Sequence, residues 1–249
     1  MTYCVGLLVK EGLVMLADSR TNAGIDNIST YRKLRVFGEE GKRIVAIASA
    51  GSLSVTQAAI NKLREGVRIP GRDGLFFVET APSMFRVAEV VGHALKQARH
   101  EIDETVDNEA VQTGASFLVG GSIGGSAPAL FLIYGEGNFI ECGIETPFLQ
   151  IGELKYGKPI LDRLLVYRTP LDEAVKVGIL SMNSTIKSNL SVGLPVDLLI
   201  LKPGHSAATL YRIEEGDPYY QELGLRWQLA LQETLDALPD PPFLPKSRS

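Results

Sequence analysis

Two unbroken apolar runs, residues 3–9 and 13–17, open the chain on either side of Lys10-Glu11-Gly12. They predict a β-hairpin that begins almost at the first residue. The polar stretch from Ser19 to Arg32 reads as a loop, and apolar runs at 34–37 and 44–49 predict a second hairpin around Gly38-Glu39-Glu40-Gly41. The periodicity then changes. Val55, Ala58, Ala59 and Leu63 recur at helical spacing over residues 52–65, before Gly66, and Met84, Val87, Ala88, Val91, Leu95 and Ala98 do so over 82–100. Strand patterns return at 115–119 and 129–134, joined by the glycine-rich stretch 120–125, with a further strand at 138–142. Helical spacing follows at 159–165 and 171–187, then strands at 196–201 and 208–213, and a helix-like segment at 218–238.

The order is therefore strands, two helices, strands, two helices, strands. Tight turns between consecutive strands make the sheets antiparallel, with helices packed outside. Periodicity alone supports α+β; the order further suggests a four-layer αββα sandwich of two stacked sheets. No linker divides the 249 residues, which predicts one domain over 1–249, with a common fold at 2–213 and a C-terminal extension at 214–249. The balance of 25 basic against 29 acidic residues gives no electrostatic footprint for nucleic acid or an anionic membrane. Cys4 and Cys142 form no CxxC or zinc spacing, which fits a reducing compartment. With no signal-like segment and no apolar run near the roughly 18 residues that span a bilayer, the expected location is the cytoplasm.

Chemistry enters at Thr2. A small second residue permits removal of Met1, and an N-terminal threonine carries both a hydroxyl nucleophile and an amine able to take its proton. Asp18, at the end of the second strand, and Lys33, at the start of the third, are spaced to form an ion pair beneath Thr2; a surface salt bridge is the alternative. A lysine there would disfavour protonation of the amine. Gly51 stands between a strand and a helix, where its N–H would face a developing oxyanion, or where the chain merely turns with Ser52 as N-cap.

From Thr2 to about Ile213 the chain resembles proteasome β-subunits, including the bacterial HslV peptidase. The resemblance rests on the N-terminal threonine with Ala17-Asp18-Ser19-Arg20, Arg32-Lys33-Leu34-Arg35, Ala48-Ser49-Ala50-Gly51 and Ala115-Ser116-Phe117-Leu118-Val119-Gly120-Gly121. More closely, MTYCVGLLV, ADSRTNAGIDNISTYRK and NLSVGLPVDL are similar to the bacterial proteasome-like Anbu group. The resemblance implies the N-terminal-nucleophile hydrolase fold and threonine-dependent peptide or amide hydrolysis. It makes Thr2 the nucleophile, Asp18 and Lys33 the charge pair, Gly51 the oxyanion donor and Ser191 the matching late serine. It also implies self-assembly into a homo-oligomer, a ring or helical stack, and leaves an ATP-driven unfoldase partner open. Two stations depart from the family pattern. Ser188, followed by Asn189, replaces an aspartate, and Glu153 stands where a serine is usual. Thr21, Ser49 and Leu53 are expected near the substrate pocket.

Other features carry less. The 120–125 stretch lacks a following Gly-Lys-Ser/Thr and reads as a hairpin turn rather than a phosphate cradle. His93 and His100 share a helix face without a metal motif, His205 stands alone, and no metal or cofactor is expected. Cys4 is placed in a sheet layer, and residues 62–72 in a solvated helix end. The extension from Pro218, with Tyr219, Tyr220, Leu223, Trp227 and Leu231, packs either on its own subunit or on a neighbour. The expected activity is that of a threonine peptidase; the alternatives are a catalytically silent assembly subunit that keeps fold and interfaces, and a hydrolase of small amides or peptide conjugates.

Overall fold

A computed structural model describes residues 1–22, 28–39, 41–105, 112–205 and 207–243. Residues 23–27, within one of the quoted motifs, and Glu40, in the second expected turn, lie outside them. The chain divides into two units, Met1–Glu215 and Gly216–Ser249.

In the first unit, β1 (Tyr3–Val9) and β2 (Gly12–Asp18) form the opening hairpin, with Cys4 opposite Ala17. They are the middle of a five-stranded antiparallel sheet completed by β10 (Phe148–Gly152), β11 (Val196–Leu201) and β12 (Thr209–Ile213), in the order β10-β1-β2-β11-β12. The second sheet runs β5 (Leu34–Phe37), β6 (Arg43–Gly51), β7 (Ala115–Ile123), β8 (Ala129–Ile133), β9 (Phe139–Glu141), and every pairing is antiparallel. A short pair, β3 (Arg20–Asn22) with β4 (Ile28–Thr30), stands apart from both.

Antiparallel strands with one wet face alternate apolar and polar residues, yet every residue of β2 is buried. Both of its faces are covered. Cys4, Leu13, Met15 and Ala17 point between the sheets and meet Ala46, Ala48, Leu118 and Leu130 of the second sheet. On the far side of the second sheet, Val45, Ile47, Phe117 and Val119 pack under α1 (Leu53–Glu65) and α2 (Met84–Thr105). On the far side of the first sheet lies α4 (Leu171–Ser188), preceded by α3 (Lys158–Leu164). Gly178 of α4 sits so close to Leu16 and Leu7 that a Cβ would press on both. The Glu11 carboxylate, in the first hairpin turn, accepts the Leu171 N–H at 3.0 Å and so caps α4 where Pro170 offers no side-chain cap. The unit is the αββα sandwich that the element order suggested.

Three local readings change. The 19–32 loop contains β3 and β4. The 120–125 stretch is not all turn, because β7 runs through Gly120 and Gly121 to Ile123 and the chain reverses at Gly124 and Gly125, with φ of +60° and +75°. Gly120 serves close stacking instead: a Cβ there would lie 2.7 Å from Met15 Sδ of the facing sheet. Finally, 148–152 is a strand, β10, with no counterpart in the expected elements.

The second unit consists of α5 (Pro218–Ala237) and the residues after it. Asp217 caps α5 by accepting the Tyr220 N–H at 2.8 Å, with Pro218 in the first turn. No described helix is long and apolar enough to cross a membrane.

Candidate functional site

The hairpin β1–β2 and the outer strand β10 bring the site together. Tyr3 pairs with Gly152, and the next residue of each chain continues the contact: the Glu153 N–H donates to the Thr2 carbonyl at 2.7 Å. Gly152 has φ +85°, and a Cβ there would collide with the Thr2 carbonyl. Only glycine allows this junction. On the other side of β1, the Tyr3 N–H donates to Asp18 Oδ1 at 3.0 Å. Thr2 is thus held from both flanks and is 8% exposed.

Asp18 is fully buried at the end of β2, and Lys33 enters β5 beside it. Lys33 Nζ donates to Asp18 Oδ1 at 2.8 Å and to the Arg20 carbonyl at 2.7 Å. Burial pushes the Asp18 carboxyl above its ordinary value, while the Lys33 ammonium and the Tyr3 N–H hold it down. The surface salt-bridge alternative is excluded by this burial. Cys4, the next inward-facing residue, donates to the Ser49 carbonyl at 3.6 Å, and burial beside Asp18 pushes its thiol well above the ordinary range. It is a packed thiol, as expected.

A cleft of about 450 Å³ opens over this pair and is lined by Thr2, Thr21, Lys33, Ser49, Gly51 and Leu53, all six of them expected from the sequence. Gly51 ends β6 at the rim with φ +103°, where a Cβ would strike the Gly114 carbonyl. Ser49 lies below, its hydroxyl donating to the Lys33 carbonyl at 3.4 Å.

The late stations form a second shelf behind Thr2. The Glu153 carboxylate accepts from Asn189 Nδ2 at 3.0 Å and from the Lys155 N–H at 3.3 Å, and Asn189 Oδ1 accepts the Ser191 N–H at 2.9 Å. Glu153, Asn189 and Ser191 are therefore brought together. Ser188 is not one of them; it ends α4 with an exposed side chain.

Arg20, Tyr31 and Gln112 also line the cleft and were given no role from sequence. Arg20 Nη1 donates to the Leu190 carbonyl at 3.1 Å, and its guanidinium lies against Gly193, where a Cβ would overlap it. The signal was present: Arg20 follows Asp18 by two residues, the spacing that returns an extended chain to one face.

No protein-family model and no curated protein matches the chain. Solved structures do. An Anbu (Gly-1) mutant from Hyphomicrobium sp. strain MC1 is 43% identical with a TM-score of 0.87, covering 96% of this chain and 99% of that one. Anbu, an ancestral beta-subunit, from Yersinia bercovieri is 39% identical with a TM-score of 0.87, over 96% and 99%. The protein described as the helical assembly of the Anbu complex from Pseudomonas aeruginosa is 43% identical with a TM-score of 0.87, over 97% and 98%.

These matches correct the peptidase expectation. Several of the matched chains are Anbu (Gly-1) mutants, which carry this fold over 96% of the present chain. Sharing the fold is therefore no evidence of a working N-terminal nucleophile, and the threonine-protease and hydrolase readings are withdrawn in favour of a silent assembly.

Proposed function

The chain belongs to the Anbu family of the proteasome-like N-terminal-nucleophile superfamily, and from that premise we propose that it is a catalytically silent subunit that assembles with copies of itself into a ring or helical stack. One observation carries the reading: 43% identity over nearly the whole of both chains to a relative described as a helical assembly. The second unit supports it. Leu225 and Leu229, and Leu231 and Leu235, stand four apart on α5 and are all more than half exposed, an apolar surface that a neighbouring copy would bury. In this reading Asp18 and Lys33 fasten the N-terminal strand to β2 and β5, and Glu153, Asn189 and Ser191 hold the loop after α4 against Thr2. Light scattering on the purified protein at micromolar concentration tests the proposal. An oligomer whose mass distribution is unchanged in Thr2→Ala is expected; a monomer would contradict it.

A further inference from the structure

Away from the Thr2 cleft, the layer between the two sheets is left open along one side. β12 is the last strand of the first sheet and β5 the first of the second, so each presents an outer edge with no strand paired to it among the described residues. A crevice of about 410 Å³ runs between these edges, lined by Arg32, Arg35, Val36, Asp197, Leu210 and Arg212 among others. The registers show which way its walls face. Leu210 is opposite Leu199, and Val36 is two residues from Leu34; Leu199 and Leu34 both belong to the core between the sheets. Leu210 and Val36 therefore lie on the same core-facing surfaces, yet they are 60% and 42% exposed. Among the described residues, the core layer has apolar walls here that stand open to solvent.

The charge of the crevice is one-sided. Asp197 Oδ1 pairs with Arg212 Nη1 at 2.5 Å, the two residues being cross-strand partners of β11 and β12, while Asp197 Oδ2 is buried without a donor among the described residues. Arg32 and Arg35 take part in no ion pair among the described residues. Arg35 Nε is shielded from solvent without a hydrogen-bond acceptor, its guanidinium 5.3 Å from the Tyr31 ring centroid. Arg212 also pairs with Glu214 at 2.9 Å, which leaves Arg32 and Arg35 as the crevice cations without a carboxylate among the described residues.

We propose that this crevice binds an extended acidic segment of a partner protein, which adds as a strand to the free edge of β12 or β5. Strand addition supplies backbone hydrogen bonds from an edge that has them to give. Alternate side chains of the segment would point inward, filling the space between Val36 and Leu210 with apolar groups. The carboxylates between them would reach Arg32 and Arg35, where bidentate guanidinium pairing is the favoured geometry. The required partner sequence is therefore an alternation of apolar and acidic residues over about five positions, the usual length of a strand.

The test uses the whole protein and three fluorescein-labelled peptides of about ten residues: alternating Val and Glu, the same with Lys for Glu, and the acidic peptide with Pro at alternate positions. Anisotropy should show binding of the first at least ~10-fold tighter than of the other two, weakening as salt is raised from ~50 to ~300 mM. Arg32→Glu, an exposed position that does not endanger folding, should weaken it by about 10-fold with melting temperature and assembly mass unchanged, and Arg35→Gln, which keeps a polar group against Tyr31, should weaken it in the same direction. Equal binding of the lysine peptide, retention of affinity in both variants, or no binding of any peptide would overturn the proposal. Equal binding of the proline peptide would overturn strand addition. A fall in assembly mass in Arg32→Glu without peptide binding would also overturn it, assigning the crevice to a second copy of this chain.

Discussion

Lys33 Nζ lies 2.8 Å from Asp18 Oδ1, with the two side chains 7% and 0% exposed. A pair this deep is costly to desolvate, so its worth shows when one member is removed. Lys33→Met should destabilise the protein by about 3–5 kcal/mol in urea unfolding, because a buried carboxylate loses its cation. Asp18→Asn with Lys33→Met keeps an acceptor for the Tyr3 N–H and should recover at least half of that loss. A double variant no better than Lys33→Met would count against the pairing as the source.

The same pair fixes the sign of a pH effect. Burial raises the Asp18 carboxyl and Lys33 opposes the rise, so removing Lys33 raises it further. A folded-state pKa above the unfolded one means that the native state binds the proton more tightly. The stability of Lys33→Met is then greatest below the unfolded value and declines as pH rises through the folded one. Urea midpoints between pH 4 and pH 8 should show the gap to the parent protein narrowing on acidification; a constant gap would contradict this.

Tyr3 gives an alkaline counterpart. Its hydroxyl is fully buried, 2.7 Å from Ser181 Oγ and 2.6 Å from Gln150 Nε2, and burial pushes the phenol from 10.0 to about 12. Stability should be intact below pH 10 and fall by about 2–3 kcal/mol as pH rises to 12, since the unfolded chain releases a proton that the folded one keeps. Tyr3→Phe should flatten that decline. Absorbance titration should find one tyrosine ionising after the others.

Gly152→Ala tests the junction that seats Thr2. The residue has φ +85°, and the added methyl has no room beside the Thr2 carbonyl. A cost of about 2 kcal/mol or more is expected from strain and from loss of the Glu153 N–H to Thr2 bond. A melting temperature unchanged by the substitution would show that the strand pairing yields easily.

Much of this architecture was legible because its strands are either wholly apolar or cleanly bounded. Residues 196–201 read as a strand from sequence and form β11 without change, and the α1, α4 and α5 patterns end within a residue or two of the observed helices. β10 was illegible. Phe148–Gly152 is only half-buried along an outer strand, so Gln150 interrupts its apolar text, and Gly152-Glu153 reads as a turn. That one strand decides where Glu153 goes. Thr2, Thr21, Lys33, Ser49, Gly51 and Leu53 line one cleft, because Thr2 and Lys33 immediately precede β1 and β5, Gly51 ends β6 and Leu53 begins α1. Ser188 was misplaced, since the exposed last turn of α4 points it away while Asn189, one residue on, turns back to Glu153. What residue identity could not supply was activity. A threonine, a lysine and an aspartate in the right places specify a geometry, and chemistry further requires a free amine able to move protons.

If the Thr2 geometry serves an assembly and not a reaction, intact-mass spectrometry of the native assembly after exposure to a covalent threonine-directed probe, with Thr2→Ala alongside, should find no adduct on either protein. A stoichiometric adduct on Thr2, absent from Thr2→Ala, would show instead that the threonine is a working nucleophile.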